Sequence, residues 1–428
     1  MPQLGSYRRS MSTLTAAQPQ HSTRHDSAAR SSRAARARIV SGPLALVFLS
    51  EFCALTSFYL LLSVTPMYAA AVGAGSTGAG LVTGVLLLGT VAAELAAPIL
   101  MRRYGYWSML LTGALLLGVP ALALLPGGSL AVIVTVSVVR GFGFGLCTVM
   151  TGALTAALLP PERRGEGLGL FGVVATAPGI VALPAGVWLA GHLGMATVVG
   201  LTAVSALVPV AVFPWLSGRA GHRAAATRPG TGRPDGLLSG LRRAGQLRPF
   251  VIFAASTVAG GVVVSFLPLA AGVSANVAAA GLFAQALTAT ISRWWAGRRG
   301  DRSGHARLLV PALAIASLGM ITMIWLASPA AVVAGMCLFG IGFGICQNAT
   351  FALMIERMPP SGAGTASALW NLAYDAGYGA GPAAFGLVVN HTGYPAAFAL
   401  TAVLMLAAVP LARRERATAQ STAARPGR

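Results

Sequence analysis

Long apolar runs separated by short breaks occupy almost the whole chain. From Pro43 onward each run holds roughly 20 residues or more, enough for a helix rising about 1.5 Å per residue to cross a hydrocarbon core of ~30 Å. Twelve such runs predict an all-α integral membrane protein with twelve transmembrane helices. Their approximate limits are 43–68, 77–101, 107–126, 130–158, 166–189, 196–216, 249–271, 276–297, 307–327, 330–356, 364–389 and 395–412.

The composition agrees with lipid rather than water as the main solvent. Hydrophobic residues make up 55% of the 428 residues and charged residues only 9%, against roughly 25% charged in a soluble domain. All 30 basic residues are Arg, so the chain lacks the Lys of a nucleotide-binding phosphate loop and cannot by itself drive transport with ATP. Its ten carboxylates, six histidines and four cysteines are scattered. We therefore expect no cofactor, no metal site and no enzyme activity.

The polar segments divide the chain into two halves of six runs each. Residues 1–40 are predicted to form a disordered basic tail, and residues 41–216 the first six-helix bundle. Residues 217–248, rich in Arg, Gly and Pro, are predicted to form a linker between the halves. The second bundle is expected over 249–412, followed by a tail over 413–428.

The arginines predict the orientation in the membrane. When the tails, the linker and alternate loops with their adjoining helix ends are placed inside, they hold 29 of the 30 Arg, and the one left over is Arg140, inside run 4. Because short cytoplasmic loops carry the positive charge, both termini are expected in the cytoplasm, with the protein in the cell (inner) membrane. The Arg clusters lack interleaved aromatic residues, so we expect no nucleic acid partner. The expected partners are the lipid bilayer, a small-molecule substrate and protons, and a monomer is expected.

The two halves are copies of each other in sequence. A shift of 199 residues superposes Cys147 on Cys346, His192 on His391 and, without a gap, further Gly, Arg and Pro-Pro positions. Each half has six runs and thus the same orientation, so the halves are expected to form pseudo-symmetric bundles about an axis along the membrane normal. The substrate site is then expected between them, near mid-membrane.

Several motifs resemble those of the major facilitator superfamily, over Pro43 to Arg414. The loop after run 8 matches the family's G-x-x-x-D-R-x-G motif, whereas the loop after run 2 has Pro for the first Gly and Arg for Asp. The resemblance implies a cytoplasmic gate role for these loops. The gate residues are Gly297, Asp301, Arg302 and Gly304, and, in the first loop, Arg102, Arg103 and Gly105.

Two further motifs resemble those of the family's proton-coupled drug and small-molecule exporters. Arg140 precedes a Gly-rich stretch in run 4, as in a family motif linked to proton coupling. The exporters' G-x-x-x-G-P-x-x-G-G signature of run 5 is matched in part around Gly179 and Pro184, and better in run 11. The run 11 residues are Gly377, Gly381 and Pro382. Such residues let helices approach and bend, which rocking of the halves requires.

Four ionisable residues lie within the predicted spans and are candidates for proton coupling: Glu51, Glu94, Arg140 and Asp375. A charge at the bilayer centre costs about 2.5–3.5 kcal/mol by insertion scales, so such residues face a partner or a wet cavity. None of the charges of Glu94, Arg140 and Asp375 recurs at the 199-residue shift, which favours function over packing. The alternative is structural ion pairs, such as Glu94 with Arg140 or Arg293.

A polar and aromatic stripe on run 11 is the candidate substrate cavity. Asn371, Tyr374, Asp375 and Tyr378 share one helical face, and Gln347, Asn348 and Phe58 extend the candidate set. Aromatic rings beside an acid suit an amphiphilic, cationic substrate. The alternative is that the aromatic residues belong to the packed core.

These features predict a secondary transporter that works by alternating access, in which Glu51 or Asp375 binds and releases a proton as the cavity opens to either side. Proton-coupled efflux of small amphiphilic molecules by antiport is the favoured function. A proton-coupled uptake symporter for a small metabolite and a transport-inactive membrane sensor remain as alternatives.

Overall fold

The computed structural model describes residues 41–125, 127–159, 164–216, 241, 245–359 and 362–423, and within these ranges it contains helices and no strand. The tail at 1–40, most of the 217–248 linker and residues 424–428 lie outside the described residues. The helices are α1 (Gly42–Leu62), α2 (Gly75–Tyr104), α3 (Tyr106–Gly118), α4 (Leu130–Leu158), α5 (Arg164–Leu193), α6 (Met195–Leu216), α7 (Leu247–Phe266), α8 (Ala275–Ser303), α9 (Leu309–Thr322), α10 (Pro329–Glu356), α11 (363–392) and α12 (394–406) within Ala363–Leu406, and α13 (Val409–Ala423).

Two glycines at positive φ explain why ten helical stretches contain the twelve predicted spans. The described part of the chain holds ten helical stretches long and apolar enough to cross a membrane, two of them 63 and 57 residues long. The first of these contains Gly73 at φ 89° and the second Gly393 at φ 74°. Only glycine adopts this backbone region at little cost, so each stretch turns there and holds two of the predicted spans. Ten stretches with two divided in this way correspond to the twelve predicted spans.

The internal repeat recurs in the packing of the helices. Gly141 on α4 has no room for a side chain because the Leu86 carbonyl of α2 lies against it, and Gly340 on α10 meets the Gln285 carbonyl of α8 in the same way. Each residue of the first contact and its counterpart in the second contact are 199 residues apart. The same holds for Gly145 with Thr90 and Gly344 with Ala289, and for Gly143 with Gly113 and Gly342 with Ala312.

The two halves meet along two seams that the repeat relates to each other. In the first seam α2 packs on α11, and in the second seam α8 packs on α5. One face of the bundle carries the turns at Gly73, Gly194, Gly272 and Gly393, and we call it the arginine-poor face. The opposite, arginine-rich face carries the ends of α2 and α8 at Gly105 and Gly304.

Near the arginine-poor face both seams are closed. In the first seam Gly80 leaves room for the Pro382 carbonyl, and the Asn390 amide donates a hydrogen bond to Thr77 Oγ1 at 3.0 Å. In the second seam a methyl group on Gly191 would lie 2.6 Å from Cβ of Ala275. The halves therefore touch directly at this end of the molecule.

Helix α13 continues beyond the last predicted span, which was expected to end at residue 412. Its Glu415 is fully buried at the arginine-rich face and forms ion pairs with Arg357, the residue after α10, and, at 3.8 Å, with Arg248 of α7. Part of the predicted 413–428 tail is thus a helix packed on the second half. Helix α7 likewise begins at Leu247, two residues before the predicted start of the second bundle at residue 249.

Candidate functional site

A carboxyl pair joins the two halves at the first seam. Glu94 lies ten residues from the end of α2 at Tyr104, about 15 Å along the helix. Its carboxyl group lies within hydrogen-bonding reach of that of Asp375 on α11, which is 7% exposed. Because two ionised carboxylates are both acceptors, a hydrogen bond between them requires a proton on one of them. The pair is therefore a candidate proton-binding element made of one residue from each half.

This pairing replaces the ion pairs considered for Glu94. Arg140 is 3% exposed and donates to two backbone carbonyls instead, those of Leu117 on α3 and, at 3.0 Å, Ser57 on α1. The Leu117 carbonyl is open to Arg140 because the chain enters a 3₁₀ turn there and Pro120 has no N–H to donate. Arg140 thus ties three helices of the first half together, a structural arrangement rather than contact with a carboxylate.

Glu51 lies apart from the carboxyl pair. Its side chain is 5% exposed, and Thr151 Oγ1 of α4 donates a hydrogen bond of 2.5 Å to its carboxylate. None of the ion pairs between described residues involves Glu51. A buried acid with a neutral partner remains a candidate for proton binding, but Glu51 is confined to the packing between α1 and α4.

An arginine occupies the position in the second seam that corresponds to Glu94 in the first. Arg293 lies ten residues from the end of α8 at Ser303, and its side chain is exposed. Tyr59 of the first half and Tyr374 of the second both lie within electrostatic reach of it. A side chain that is exposed at this depth and close to both halves projects into the space between them. Tyr59 is also within electrostatic reach of Asp375 and Glu51.

Arg293 was not among the residues predicted for the site because run 8 was expected to end at residue 297, which placed Arg293 at a helix end. The helix continues to Ser303, six residues further. Tyr59 was missed although it adjoins the candidate Phe58. Its ring packs at Gly179 of α5, where a methyl group would lie 3.3 Å from the ring carbons.

The aromatic candidates divide between a stack beside the cavity and the packed core. Trp370, Tyr374 and Tyr378 follow one another along α11, with ring centroids 6.0 and 5.1 Å apart. Phe253 of α7 stacks on Trp370 at 4.5 Å. Phe58, in contrast, is 6% exposed and stacks on Phe144 at 3.8 Å, so its position fits packing between α1 and α4.

The three polar cavity candidates do not form one group. Asn371 is exposed near the start of α11, whereas Gln347 and Asn348 on α10 are half-buried. A methyl group on Gly297 would lie 3.3 Å from the Asn348 side-chain nitrogen, so Asn348 packs on α8. Its Oδ1 atom is buried with no hydrogen-bond partner among the described residues.

The gate motif is organised around a histidine that sequence reasoning did not select. His305 follows Gly304, is 8% exposed, and bonds through Nδ1 to Glu356 of α10 at 2.9 Å. Its Nε2 atom lies 3.8 Å from Asp301. The motif's Gly300 leaves the space that the His305 ring fills. Arg302, Arg102 and Arg103 are exposed, and Gly105 and Gly304 end their helices at φ 82° and 85°.

The exporter-like glycines lie where α5 and α11 touch the first helix of each half. Gly186, two residues after Pro184, packs against the Leu60 carbonyl of α1. Gly381 packs in the same way against the Val258 carbonyl of α7, and Gly377 packs against Thr257. Both signatures therefore permit close helix contact within a half, as expected for elements that move as rigid units.

Comparison with known proteins agrees with this architecture. The chain matches the Major Facilitator Superfamily over residues 47–382. It belongs to that family. Solved structures with similar folds include a peptide transporter POT in complex with sulfate, with a TM-score of 0.67 at 17% identity over 89% of this chain and 94% of that chain. They also include a D-xylose-proton symporter, with a TM-score of 0.66 at 15% identity over 88% of this chain and 99% of that chain. A bacterial homolog of the human lysosomal transporter Spinster, in an inward-facing and occupied conformation, has a TM-score of 0.70 at 16% identity, over 88% and 96%.

At these low sequence identities, the solved structures show only that their fold is shared with this protein. The superfamily match and the ten membrane-length helical stretches of the described residues show a multi-pass membrane protein of the transporter type, which binds small molecules and is not an enzyme. A cavity of about 640 Å³ opens at the arginine-poor face beside Trp325, Ser328 and Tyr394. It is formed by the second half alone and lies away from the charged centre between the halves.

Proposed function

We propose that the protein is a proton-coupled secondary transporter in which Glu94 and Asp375 together form the coupling site. The observation that carries this proposal is the close approach of their carboxyl groups, because the two residues belong to halves that must move relative to each other. One shared proton stabilises the contact between α2 and α11. Loss of that proton leaves two negative charges side by side in a poorly solvated place, and their repulsion favours separation of the helices.

The coupling then follows from population shift. Binding or release of the proton changes the relative stability of the two arrangements of the halves, and the substrate in the cavity biases the same equilibrium. A gradient of protons across the membrane can therefore drive net movement of substrate. Glu51, buried on α1, is a second candidate for proton exchange within the first half.

For the direction of transport, we propose efflux of small amphiphilic molecules by antiport across the cell membrane, with both termini in the cytoplasm. The exporter-like glycines of α5 and α11, each in close contact with the first helix of its half, support this direction. Uptake with a proton is the second candidate. Exposed Arg293 favours it, since an anion bound there while the pair holds its proton permits both to move together.

The coupling proposal is tested in vesicles that contain the protein and a fluorescent amphiphile selected from a panel for which cells with the protein differ from cells without it. Asp375→Asn and Glu94→Gln should each lower proton-driven transport about 100-fold, because neither variant keeps a two-carboxyl site. Thr176→Val, at the position equivalent to Asp375, is the matched control and should stay within about 2-fold of wild type. Full proton-driven transport in both acid variants would contradict the proposal.

The sign of the dye movement tests the direction. Under a gradient with acid inside, inside-out vesicles should accumulate the dye if the protein is an antiporter, and a protonophore should abolish accumulation. Accumulation only when the acid side is outside the vesicle would support the symporter instead. Binding of the dye without any flux would support the sensor and contradict both transport functions.

A further inference from the structure

Arg293 is an exposed cation deep within the bundle, with no acidic partner among the residues that the structure describes. It lies about 15 Å along α8 from Ser303, at the level that the repeat assigns to Glu94. In the part of the chain that the structure describes, none of the ion pairs includes it. A cation at this depth is costly unless it faces a wet cavity or binds an anion, and such residues mark substrate pathways in membrane proteins.

The surroundings of Arg293 suit an anionic group rather than a proton. The groups that act on it electrostatically are the phenols of Tyr374 and Tyr59, which come from different halves. A tyrosine hydroxyl can donate a hydrogen bond to a carboxylate, and a guanidinium forms a stronger, charge-assisted one. One arginine and two phenols therefore present donors from two sides of the cavity, whereas the carboxyl groups of Glu94 and Asp375 are directed to each other.

An aromatic surface continues from this donor set. Tyr374 and Tyr378 are stacked with their ring planes 11° apart, and Trp370 lies one turn away with its centroid 6.0 Å from that of Tyr374. Trp370 and Tyr374 are half-buried, so part of each ring is accessible. A flat ring in the substrate can stack on this surface while its acidic group reaches Arg293.

We infer that the central cavity binds molecules that combine an aromatic ring with one carboxylate, and that Arg293, assisted by Tyr59 and Tyr374, binds the carboxylate. This inference rests on the proposed function in so far as the central cavity is the transport site. It names the substrate class, and it replaces the cationic substrate expected from the acids and aromatic residues in the sequence. The direction of transport does not enter into it.

Binding is tested with the purified full-length protein in lipid nanodiscs by calorimetry, without a proton gradient. The probes are matched pairs that differ in one group: indole-3-propionate with its primary amide, and 2-naphthylacetate with its primary amide. The wild type should bind each acid at least 10-fold more tightly than its amide. Arg293→Gln should weaken binding of the acid about 10- to 100-fold and leave binding of the amide unchanged, since only the charge-assisted contact is lost.

Three further measurements decide the role of Arg293. Arg293→Lys should retain part of the preference for the acid, and Tyr59→Phe should lower it several-fold. Arg298→Gln, which alters an exposed arginine over the Trp294 ring of the same helix, should change neither probe. Equal affinity for acid and amide in the wild type, no binding of either acid, or equal weakening of both probes by Arg293→Gln would overturn the inference. None of these results depends on proton coupling, so failure of this inference can be distinguished from failure of the proposed coupling site.

Discussion

The first and second seams have the same backbone plan and opposite side-chain chemistry. Glu94 and Asp375 face each other in the first seam, and the repeat places Arg293 and Thr176 at the same positions in the second. Thr176 Oγ1 bonds to the Gly172 carbonyl of its own helix at 2.8 Å. We therefore expect a proton-dependent bond in one seam, whereas the other holds a cation with no ion pair among the described residues.

The seams also differ in how closely their helices approach. The first seam uses small residues, such as Gly80, Gly84 and Gly379, against backbone atoms of the opposite helix. In the second seam the positions equivalent to Gly84 and Gly379 are Phe283 and Ile180. The residues that keep the repeat hold the helices in place. We infer that the residues that break the repeat give the two seams of this duplicated scaffold different functions.

Exchanging the side chains of one equivalent pair should produce the largest effect. A methyl group on Gly84 would already lie 3.3 Å from Ala383 Cβ and 3.4 Å from the Gly379 carbonyl oxygen, so Gly84→Phe cannot fit in the closed first seam. We expect transport to fall more than about 50-fold. Phe283→Gly, at the half-exposed position of the second seam, should change transport no more than about 3-fold. Dye flux in vesicles measures both variants, and similar losses would remove the distinction between the seams.

Removal of Arg140 should reduce stability rather than coupling. Arg140→Gln leaves the Leu117 carbonyl short of a donor, since Pro120 has no N–H, and an orphaned buried acceptor costs about 1–3 kcal/mol. Thermal unfolding in detergent should show a lower transition temperature. Dye flux per folded molecule should keep its dependence on the proton gradient. Uncoupled flux in a variant of unchanged stability would return Arg140 to the coupling site.

Loss of the Glu415 ion pairs should have an intermediate effect on stability that is confined to the second half. Glu415→Gln leaves Arg357 and Arg248 without their charged partner, at a cost of about 1–2 kcal/mol because both arginines retain contact with water. The equivalent positions in the first half are Leu216, Leu158 and Leu49, so no counterpart exists there. Hydrogen exchange should rise in α13 and the ends of α7 and α10. An equal rise in the first half would contradict this assignment.

The smallest change is expected from Thr176→Val. Among the described residues the hydroxyl bonds only within α5, and the side chain is half-buried. The preference of the wild type for an aromatic acid over its amide should persist within about 2-fold in calorimetry. A loss as large as that of Arg293→Gln would show that the anion site includes α5.

The helical plan could be predicted from the sequence, since hydrophobic run length and the 199-residue repeat are both visible in the order of the residues. It also selected Glu94 and Asp375, because an acid within an apolar run needs a reason to be there. It could not join them, because their contact depends on how α2 and α11 approach across the two halves. Arg293 was overlooked for a related reason: the end of α8 is stabilised by His305 packing at Gly300, a contact that hydropathy does not register.

The shared proton is the central claim, and infrared difference spectroscopy of the protein in lipid tests it most directly. A protonated carboxyl group gives a carbonyl band separate from that of a carboxylate, and the wild type should show one such band that shifts in heavy water. Glu94→Gln and Asp375→Asn should each remove or displace that same band, since each breaks the pair, whereas Glu51→Gln should leave it in place. A band that both variants leave unchanged would show that no proton is held between the halves.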